Sequence, residues 1–157
     1  MSVPRYTERM SPAHTATIRV RYAETDQMGV VYYANYFVWF EIGRVELMRA
    51  LGFEYRELEE QDQCYLPVVE ANCRYRAPAR YDDVLTLETR VLNQRTSMIR
   101  FGYRLLREMP SRTDEQVPVL LAEGETVHVV VDRTMQKTAL PERFAAALRG
   151  MTGHVHE

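Results

Sequence analysis

Apolar and polar residues alternate along five stretches of the chain, which is the period of a β-strand with one buried face. In the first stretch, residues 17–22, one face carries Ile18, Val20 and Tyr22, and the other carries Thr17, Arg19 and Arg21. Four further strands are predicted over residues 66–76, 84–92, 97–107 and 119–131. Because these four follow one another along the chain, they are predicted to form an antiparallel meander.

A helical period governs residues 33–51, and Gly52 is placed to end this helix. At about 100° per residue, one broad apolar face forms, and it holds Tyr36, Phe37, Phe40, Leu47, Met48 and Leu51. The opposite face carries Asn35, Glu46 and Arg49. Two short helices are predicted over residues 54–62 and 141–149. One long helix followed by a meander predicts an α+β fold in which the sheet covers the helix.

Two features of the long helix depart from this simple division. Trp39 and Ile42 fall on its polar side, where apolar groups indicate contact with a partner subunit. Arg44 projects from the middle of the apolar face, and Glu41 is spaced to reach it. Because a buried charge needs a partner, we expect a structural ion pair between these two, with a direct catalytic role for Glu41 as the lesser alternative.

Length and charge bound the function. The chain of 157 residues fits one domain, which we place at residues 16–149 between flexible segments at 1–15 and 150–157. A net charge of −2 provides no broad positive field for nucleic acid. The first 14 residues lack the apolar core of a signal peptide, and the chain carries no apolar run of membrane-spanning length. A cytoplasmic protein is therefore expected.

Cysteine and histidine spacing gives no sign of a metal centre. Cys64 and Cys73 lie nine positions apart, unlike the short spacings of zinc or redox motifs, so two ordinary buried thiols are expected. The four histidines do not cluster, and His128, which falls within a predicted strand, is expected to be structural. We predict no metal. The polar, proline-bounded run at residues 108–118 is predicted to be an exposed hairpin loop.

The residues that point to chemistry lie just before the long helix. Asp26 is in a loop, followed by Gly29, which permits close backbone approach, and by an apolar run from Val30 that would partly desolvate the site. The free N–H groups at the helix start, near Tyr33, should point at whatever lies beside Asp26. A carboxylate next to such donors suits acyl transfer, since one group attacks or activates water while the other stabilises an oxyanion.

A family resemblance rests on these same residues. Residues 22–36 read YAETDQMGVVYYANY, and this run resembles the signature of the 4-hydroxybenzoyl-CoA thioesterase family, in particular its Tol–Pal-associated acyl-CoA thioesterase branch. The similarity covers nearly all of residues 16–148. It continues through Phe40-Glu41, Arg44, residues 75–80, Asp82-Asp83, residues 95–97, 131–132 and 139–141.

This resemblance implies a hotdog fold, an antiparallel sheet of about five strands wrapped around one long helix. Such proteins are dimers and commonly homotetramers, with the active site at the dimer interface. Asp26 corresponds to the catalytic nucleophile or general base, and the backbone N–H of Tyr33 corresponds to the group that polarises the thioester carbonyl. Members of this branch often carry His at the position of Tyr33, so this chain lacks an imidazole there. Tyr22 matches the branch and either orients the site or is a core residue.

The resemblance also implies where the substrate binds. The turn of Arg95, Thr96 and Ser97 matches the segment that contacts the phosphates of CoA, for which arginine and hydroxyl donors are suited. Val68 and Val69, with the aromatic residues of the helix, are expected to line the acyl pocket together with Gly29 and Val30. CoA is part of the substrate, and no other cofactor is implied. An acyl carrier protein thioester is the alternative substrate.

Two other functions compete with acyl-CoA hydrolysis. A hotdog dehydratase acting on 3-hydroxyacyl thioesters would need a histidine near the helix, and none occurs between His14 and His128. A non-catalytic acyl-CoA sensor or scaffold on the same fold is the second alternative. The presence of Asp26 beside the helix start favours catalysis.

Overall fold

The structure is a computed structural model that describes residues 12–108 and 118–152. The described chain forms five strands and three α-helices in a single layer of sheet covered by the longest helix. The strands are β1 (His14–Arg19), β2 (Val68–Tyr75), β3 (Val84–Arg95), β4 (Met98–Arg107) and β5 (Val119–Val129). The helices are α1 (Asn35–Ala50), α2 (Tyr55–Glu60) and α3 (Glu142–Arg149).

All five strands pair antiparallel, in the order β1-β3-β4-β5-β2. Alternation is followed faithfully in the middle of the sheet. Leu85, Leu87 and Val91 of β3 are buried on the helix side, as are Ile99, Phe101, Tyr103 and Leu105 of β4. Strands β2 to β5 form near the predicted positions, and β3 continues to Arg95, three residues further than predicted. The first strand was predicted at residues 17–22 but lies three residues earlier, since the chain leaves the sheet before Tyr22. The predicted meander holds only for β3, β4 and β5, because β2 pairs with β5 at the edge of the sheet and not with β3.

The edge strand β2 differs from the others. Seven of its eight residues are exposed, and only Cys73 is half-buried, where it packs against the core. It pairs with β5 along one side, and its other side pairs with no other described strand. An open edge of this kind is a template for pairing with another chain.

Helix α1 lies across the sheet with the predicted apolar face inward. Tyr36, Phe40, Leu47 and Met48 are buried, and the ring of Phe40 stacks on that of Tyr103 of β4 at 4.3 Å. Gly43 lets the helix approach closely, because a Cβ there would lie 2.4 Å from Oγ1 of Thr89 in β3. Gly52, at φ +86°, follows the helix and turns the chain away.

The structure corrects two predictions about α1. Trp39 does not face a partner: it is 1% exposed, and its indole Nε1 donates a 2.8 Å hydrogen bond to the buried carboxylate of Glu24.

Arg44 is buried as predicted, but its hydrogen bond goes to the Tyr103 hydroxyl at 3.2 Å. Glu41 is exposed and forms no ion pair with Arg44. Ile42 is 41% exposed, as its position predicts.

The predicted segment boundaries fall close to the observed elements. β1 begins at His14, inside the segment 1–15 that was expected to be flexible, and α3 ends at Arg149. Most of the predicted hairpin loop at 108–118 lies outside the described residues, as do His154 and His156 in the tail. No helix in the described part of the chain is long and apolar enough to cross a membrane.

Candidate active site

The Asp26 loop is a tight turn held to the rest of the fold. The Asp26 amide donates to the Val30 carbonyl, and the Gly29 amide donates to the Asp26 carbonyl, each at 2.9 Å. Gly29 has φ +76° with open space around its Cα, so glycine is needed for backbone conformation rather than for close approach. The Val31 amide donates to the Ala79 carbonyl at 2.8 Å, which fixes the loop beside the start of β3.

The Asp26 carboxylate is half-buried and held by one of its two oxygens. Its Oδ1 accepts a 2.9 Å hydrogen bond from the Met28 amide, the local turn that aspartate commonly makes. Its Oδ2 accepts no hydrogen bond from any described residue. One oxygen therefore orients the side chain while the other remains available to a substrate or to water.

Two backbone amides at the start of α1 are also free. The Tyr32 carbonyl accepts from the Asn35 amide at 3.0 Å, and the Tyr33 carbonyl accepts the Tyr75 hydroxyl at 2.9 Å. Because N–H and C=O point in opposite directions in a trans peptide, the amides of Tyr33 and Ala34 point away from the helix. Neither donates a hydrogen bond to any described residue. They are orphan donors of a helix N-terminus, which favours a developing negative charge.

Asp26 and Tyr33 line the same cavity, of about 560 Å³. Its walls are mostly apolar and tyrosine-rich, and the remaining lining residues are Met28, Val30, Val31, Tyr32, Tyr36, Tyr75, Arg76, Ala77 and Pro78. The hydrogen bond that the Tyr32 hydroxyl donates to Tyr33 is the first cause that raises the pKa of Tyr32, and the negative charge of Asp26 adds to it. The guanidinium of Arg76 is paired with Glu123 at 2.6 Å. The cavity thus presents one carboxylate, free amides and an apolar surface.

Tyr22 does not contribute to this cavity. Its side chain is 78% exposed, so it is not a core residue, and its ring meets the edge of Tyr81 at 5.8 Å. Its carbonyl accepts hydrogen bonds from the amide and the hydroxyl of Thr25, which shapes the chain just before Asp26. The contribution of Tyr22 to the loop is therefore made by its backbone.

The residues predicted to bind the rest of the substrate lie at the far end of the chain's own sheet. The Asp26 loop lies beside the start of β3, whereas Arg95 ends that strand and Thr96 and Ser97 form the next turn. With 12 residues at about 3.3 Å each, the ends of β3 are roughly 36 Å apart. Val68 and Val69 begin β2 at this same far end, where Val68 pairs with His128. One chain alone does not bring these residues to Asp26.

A second cavity, of about 490 Å³, lies at that far end, along the second half of α1. Arg44, Val45, Tyr55 and Leu66 are among its lining residues. Beside it runs a buried chain of hydrogen bonds. The Arg44 guanidinium donates to Tyr103, whose hydroxyl shares a bond with Thr126 at 2.7 Å. His128 then joins Thr126 to the Leu66 carbonyl, with 2.9 Å to each.

The buried network at this far end is structural rather than reactive. His128 is 1% exposed, and burial lowers its pKa to about 4, so the ring is neutral at ordinary pH. Burial likewise raises the pKa of the Cys64 thiol to about 11. Within residues 12–108 and 118–152 no group of three or more potential ligands could hold a metal ion.

Three residues of the site were missed by the sequence reasoning. Tyr75 holds the Tyr33 carbonyl, and the Tyr36 hydroxyl accepts from the Ala79 amide at 3.3 Å. Tyr75 was named only within the run 75–80 of the family resemblance, with no role, because its contact with Tyr33 joins residues 42 positions apart. Tyr36 was assigned to the apolar face of the helix and, as one of its aromatic residues, to the acyl pocket, but its hydrogen bond to Ala79 was not predicted. Glu24, buried two residues before Asp26, gave no signal that separates it from a solvated loop carboxylate.

The chain is similar in sequence to known thioesterases. A family model described as the thioesterase-like superfamily matches residues 20–148. The acyl-CoA thioesterase YbgC of Haemophilus influenzae is 39% identical over 132 residues, 83% of this chain and 90% of the relative. The putative acyl-CoA thioesterase YneP of Bacillus subtilis is 42% identical over 88 residues, 56% of this chain. That alignment spans 63% of the Bacillus protein.

A solved structure supports the fold. The structure of 4-hydroxybenzoyl-CoA thioesterase from Pseudomonas sp. strain CBS-3 superposes with a TM-score of 0.76 at 21% identity. The superposition covers 86% of this chain and 98% of that one. At this identity the likeness concerns the fold alone, and it confirms the predicted hotdog arrangement of sheet and helix.

Proposed function

The chain belongs to the thioesterase-like superfamily, and on that premise we propose that Asp26 is the carboxylate with which it hydrolyses acyl-CoA thioesters. Acyl-CoA thioester hydrolysis is the activity that the relatives' names and the family match support together. The observation that carries the role of Asp26 is the cavity it shares with Tyr33, where a carboxylate oxygen and a helix-start amide both lack partners among the described residues.

The chemistry needs few groups. The thioester carbonyl oxygen accepts a hydrogen bond from the Tyr33 amide, which stabilises the charge that develops when the carbon is attacked. In one route Oδ2 of Asp26 attacks that carbon, the C–S bond breaks, CoA leaves as the thiolate, and water hydrolyses the acyl anhydride. In the other, Asp26 takes a proton from water as water attacks, and that proton passes to the leaving thiolate.

The cavity also supports the substrate class. Its tyrosine-rich, mostly apolar wall can cover an acyl group and exclude water from the reacting carbon. Aromatic and aliphatic acyl groups both fit this description. Hydrolysis of acyl-CoA, a cytoplasmic metabolite, supports a cytoplasmic location.

The complete site requires a second copy of the chain. Two chains that pair through the open edge of β2 around a two-fold axis would place their β2 strands antiparallel. The end of β2 that carries Tyr75, next to Tyr33, would then face the partner's beginning of β2. Val68 and Val69 of that partner, which are 47% and 58% exposed in one chain, would line the Asp26 cavity.

The same pairing accounts for the turn predicted to bind CoA. The turn of Arg95, Thr96 and Ser97 lies at the Val68 end of the sheet, because β4 begins there beside the end of β5. The partner's turn would therefore lie at the Asp26 end of the first chain. We propose a homo-oligomer, a dimer or an assembly of dimers, whose sites each take the carboxylate from one copy and phosphate donors from the other.

Histidine placement supports hydrolysis over dehydration. His128 is held by Thr126 and Leu66, and neither His128 nor His14 is among the residues that line the Asp26 cavity. A dehydratase needs an imidazole beside its acid.

The test is a thiol-release assay over acyl-CoA substrates from short aliphatic to aryl, with calorimetric binding of each substrate to wild type and to Asp26→Asn. The proposal expects turnover by wild type and none by the variant, which still binds the preferred substrate. Binding of acyl-CoA without release of thiol from any substrate would instead identify a sensor or a requirement for acyl carrier protein.

A further inference from the structure

Glu24 is a buried carboxylate two residues before Asp26. It is 5% exposed, and both of its oxygens are occupied. Oε1 accepts a 2.8 Å hydrogen bond from the Arg21 amide, and Oε2 accepts one of 2.8 Å from the indole Nε1 of Trp39. The Arg21 guanidinium adds a longer contact at 3.4 Å. This one side chain therefore joins the beginning of the Asp26 loop to the second turn of α1.

The backbone of Glu24 ties the same elements together again. Its carbonyl accepts from the Tyr32 amide and from Nδ2 of Asn35, the first residue of α1, each at 2.9 Å. The two segments that flank Asp26 and the start of the helix thus meet at one residue. Asp26 is carried by the loop, and the Tyr33 amide is carried by the helix start, so Glu24 lies between the two proposed reacting groups in the chain of contacts.

Trp39 provides a rigid anchor for this contact. Its ring is 1% exposed and packs at 5.1 Å against Tyr36, which lines the Asp26 cavity. A buried carboxylate costs stability unless its oxygens are satisfied, and apolar residues of similar volume often fold as well or better. A carboxylate that bridges two donors on different elements does more than fill space, because it sets the distance and angle between those elements.

We infer that Glu24 and Trp39 are positioning residues that hold the Asp26 carboxylate in register with the Tyr33 amide. This inference rests on the proposed function of Asp26. Neither residue touches the substrate; the pair acts through the loop and the helix start. Loss of this contact lets the loop shift on the helix. A small displacement of a reacting group lowers the rate of the chemical step far more than it lowers the affinity for substrate.

The test uses Trp39→Phe, which keeps an aromatic ring but removes the indole donor, together with Glu24→Gln and the double variant. We expect kcat to fall by about 10- to 100-fold in each single variant with KM changed by less than about twofold, because a misplaced nucleophile loses proximity and not affinity. The kcat of the double variant should fall no further than that of the more impaired single variant, since both changes break the same contact.

A matched control separates positioning from stability. Tyr103→Phe keeps the ring that stacks on Phe40 and removes only a buried hydroxyl, whose two hydrogen bonds go to Arg44 and Thr126, so it lowers the melting temperature without removing a contact of the Asp26 loop. It should leave kcat within about twofold of wild type, as expected for a change outside the transition-state contacts. If Trp39→Phe and Glu24→Gln keep wild-type kcat, or lose kcat only in proportion to a melting loss that Tyr103→Phe shares, the inference is wrong.

Fluorescence provides a readout that needs no activity. Trp39 is the sole tryptophan of the chain, so Glu24→Gln should change its emission and increase its quenching by acrylamide. Unchanged emission and quenching would show that the contact is absent, and changed fluorescence with unchanged kcat would show a contact without a positioning role. Should wild type turn over no acyl-CoA, the proposed function fails, and the fluorescence still reports whether the contact exists.

Discussion

The two ends of helix α1 both bring an ionisable side chain next to a cavity, yet they differ in what those side chains can do. At the first end Asp26 is half-exposed, with one free carboxylate oxygen beside free amides. At the other end Arg44 is 9% exposed and its hydrogen bond to Tyr103 begins a closed chain that ends at the Leu66 carbonyl. At that end the Arg44 Nε and the Tyr55 hydroxyl also lack hydrogen bonds to described residues, but both atoms are buried. Accessible groups without partners, rather than charge or cavity volume, distinguish a site of chemistry from a structural network.

The two ends also differ in which groups stabilise the charged side chain. Asp26 needs no counter-charge, because solvent and the Met28 amide stabilise it. Arg44 is desolvated, and its hydrogen-bond partner is the Tyr103 hydroxyl in place of a carboxylate. A cation held this way fixes the helix on the sheet, and the neighbouring His128 must stay neutral. The far end should therefore respond to pH through stability, and the Asp26 end through turnover.

The largest expected effect at the far end is a pH dependence of stability carried by His128. Its folded pKa is about 4 while the unfolded value is about 6.5, so the unfolded chain binds the proton first. Stability is therefore lost as pH falls from about 6.5 to about 4, by roughly 3 kcal/mol in total. Urea unfolding of wild type and His128→Gln across this range measures it, and the difference between the two curves isolates His128 from the carboxylates.

Parallel curves for the two proteins would show that folding does not change the pKa of His128, which would contradict a desolvated, neutral ring at the far end. The assay of turnover in the same pH range serves as the control. His128→Gln should leave its pH profile unchanged, since the ring is absent from the Asp26 cavity.

The next effect concerns the assembly that completes the Asp26 end. Val69→Lys places a charge on the exposed edge strand, so it should weaken association and lower kcat/KM by about 10-fold or more, since each site loses its second half. Sedimentation velocity and thiol release measure the two effects. Met135→Lys, at a 65% exposed turn position, is the matched control and should change neither. A monomer with full activity would place every site residue within one chain.

The smallest effect tests the far end alone. Tyr103→Phe leaves the Arg44 guanidinium and the Thr126 hydroxyl each short of a partner, which should lower the free energy of unfolding by about 1–2 kcal/mol. Thermal and urea unfolding measure the loss. A large fall in kcat at full stability would mean that the network takes part in catalysis, against the distinction drawn between the two ends.

Hydrophobic periodicity predicted the helices and strands because the spacing of apolar residues determines which face of each element is buried. The buried face of α1 and the alternation of β3 and β4 follow from residue spacing alone, and Gly52 ends the helix as predicted. Trp39 was misplaced because a helical wheel does not show a loop folding over the helix: Glu24 comes from 15 residues earlier and covers the indole. The partner of Arg44 was wrong for the same reason, since Tyr103 lies 59 residues away.

The site was predicted in part. Asp26, Gly29, Val30 and Tyr33 are neighbours in sequence, so their convergence follows from one turn and one helix start. Arg95, Val68 and Val69 depend on how the sheet runs and on which edge is open, and sequence spacing contains neither. Glu24 was overlooked because burial of a loop carboxylate depends on a donor from another element.

The most direct test of the central claim compares two aspartates that make the same local turn. Asp26 and Asp132 each accept a hydrogen bond from the amide two residues on, at 2.9 and 2.8 Å, but only Asp26 lines the cavity at the helix start. Thiol release by Asp26→Asn and Asp132→Asn should differ by at least about 1000-fold, because asparagine is neither basic nor nucleophilic. Equal turnover by the two variants would contradict the assignment of Asp26.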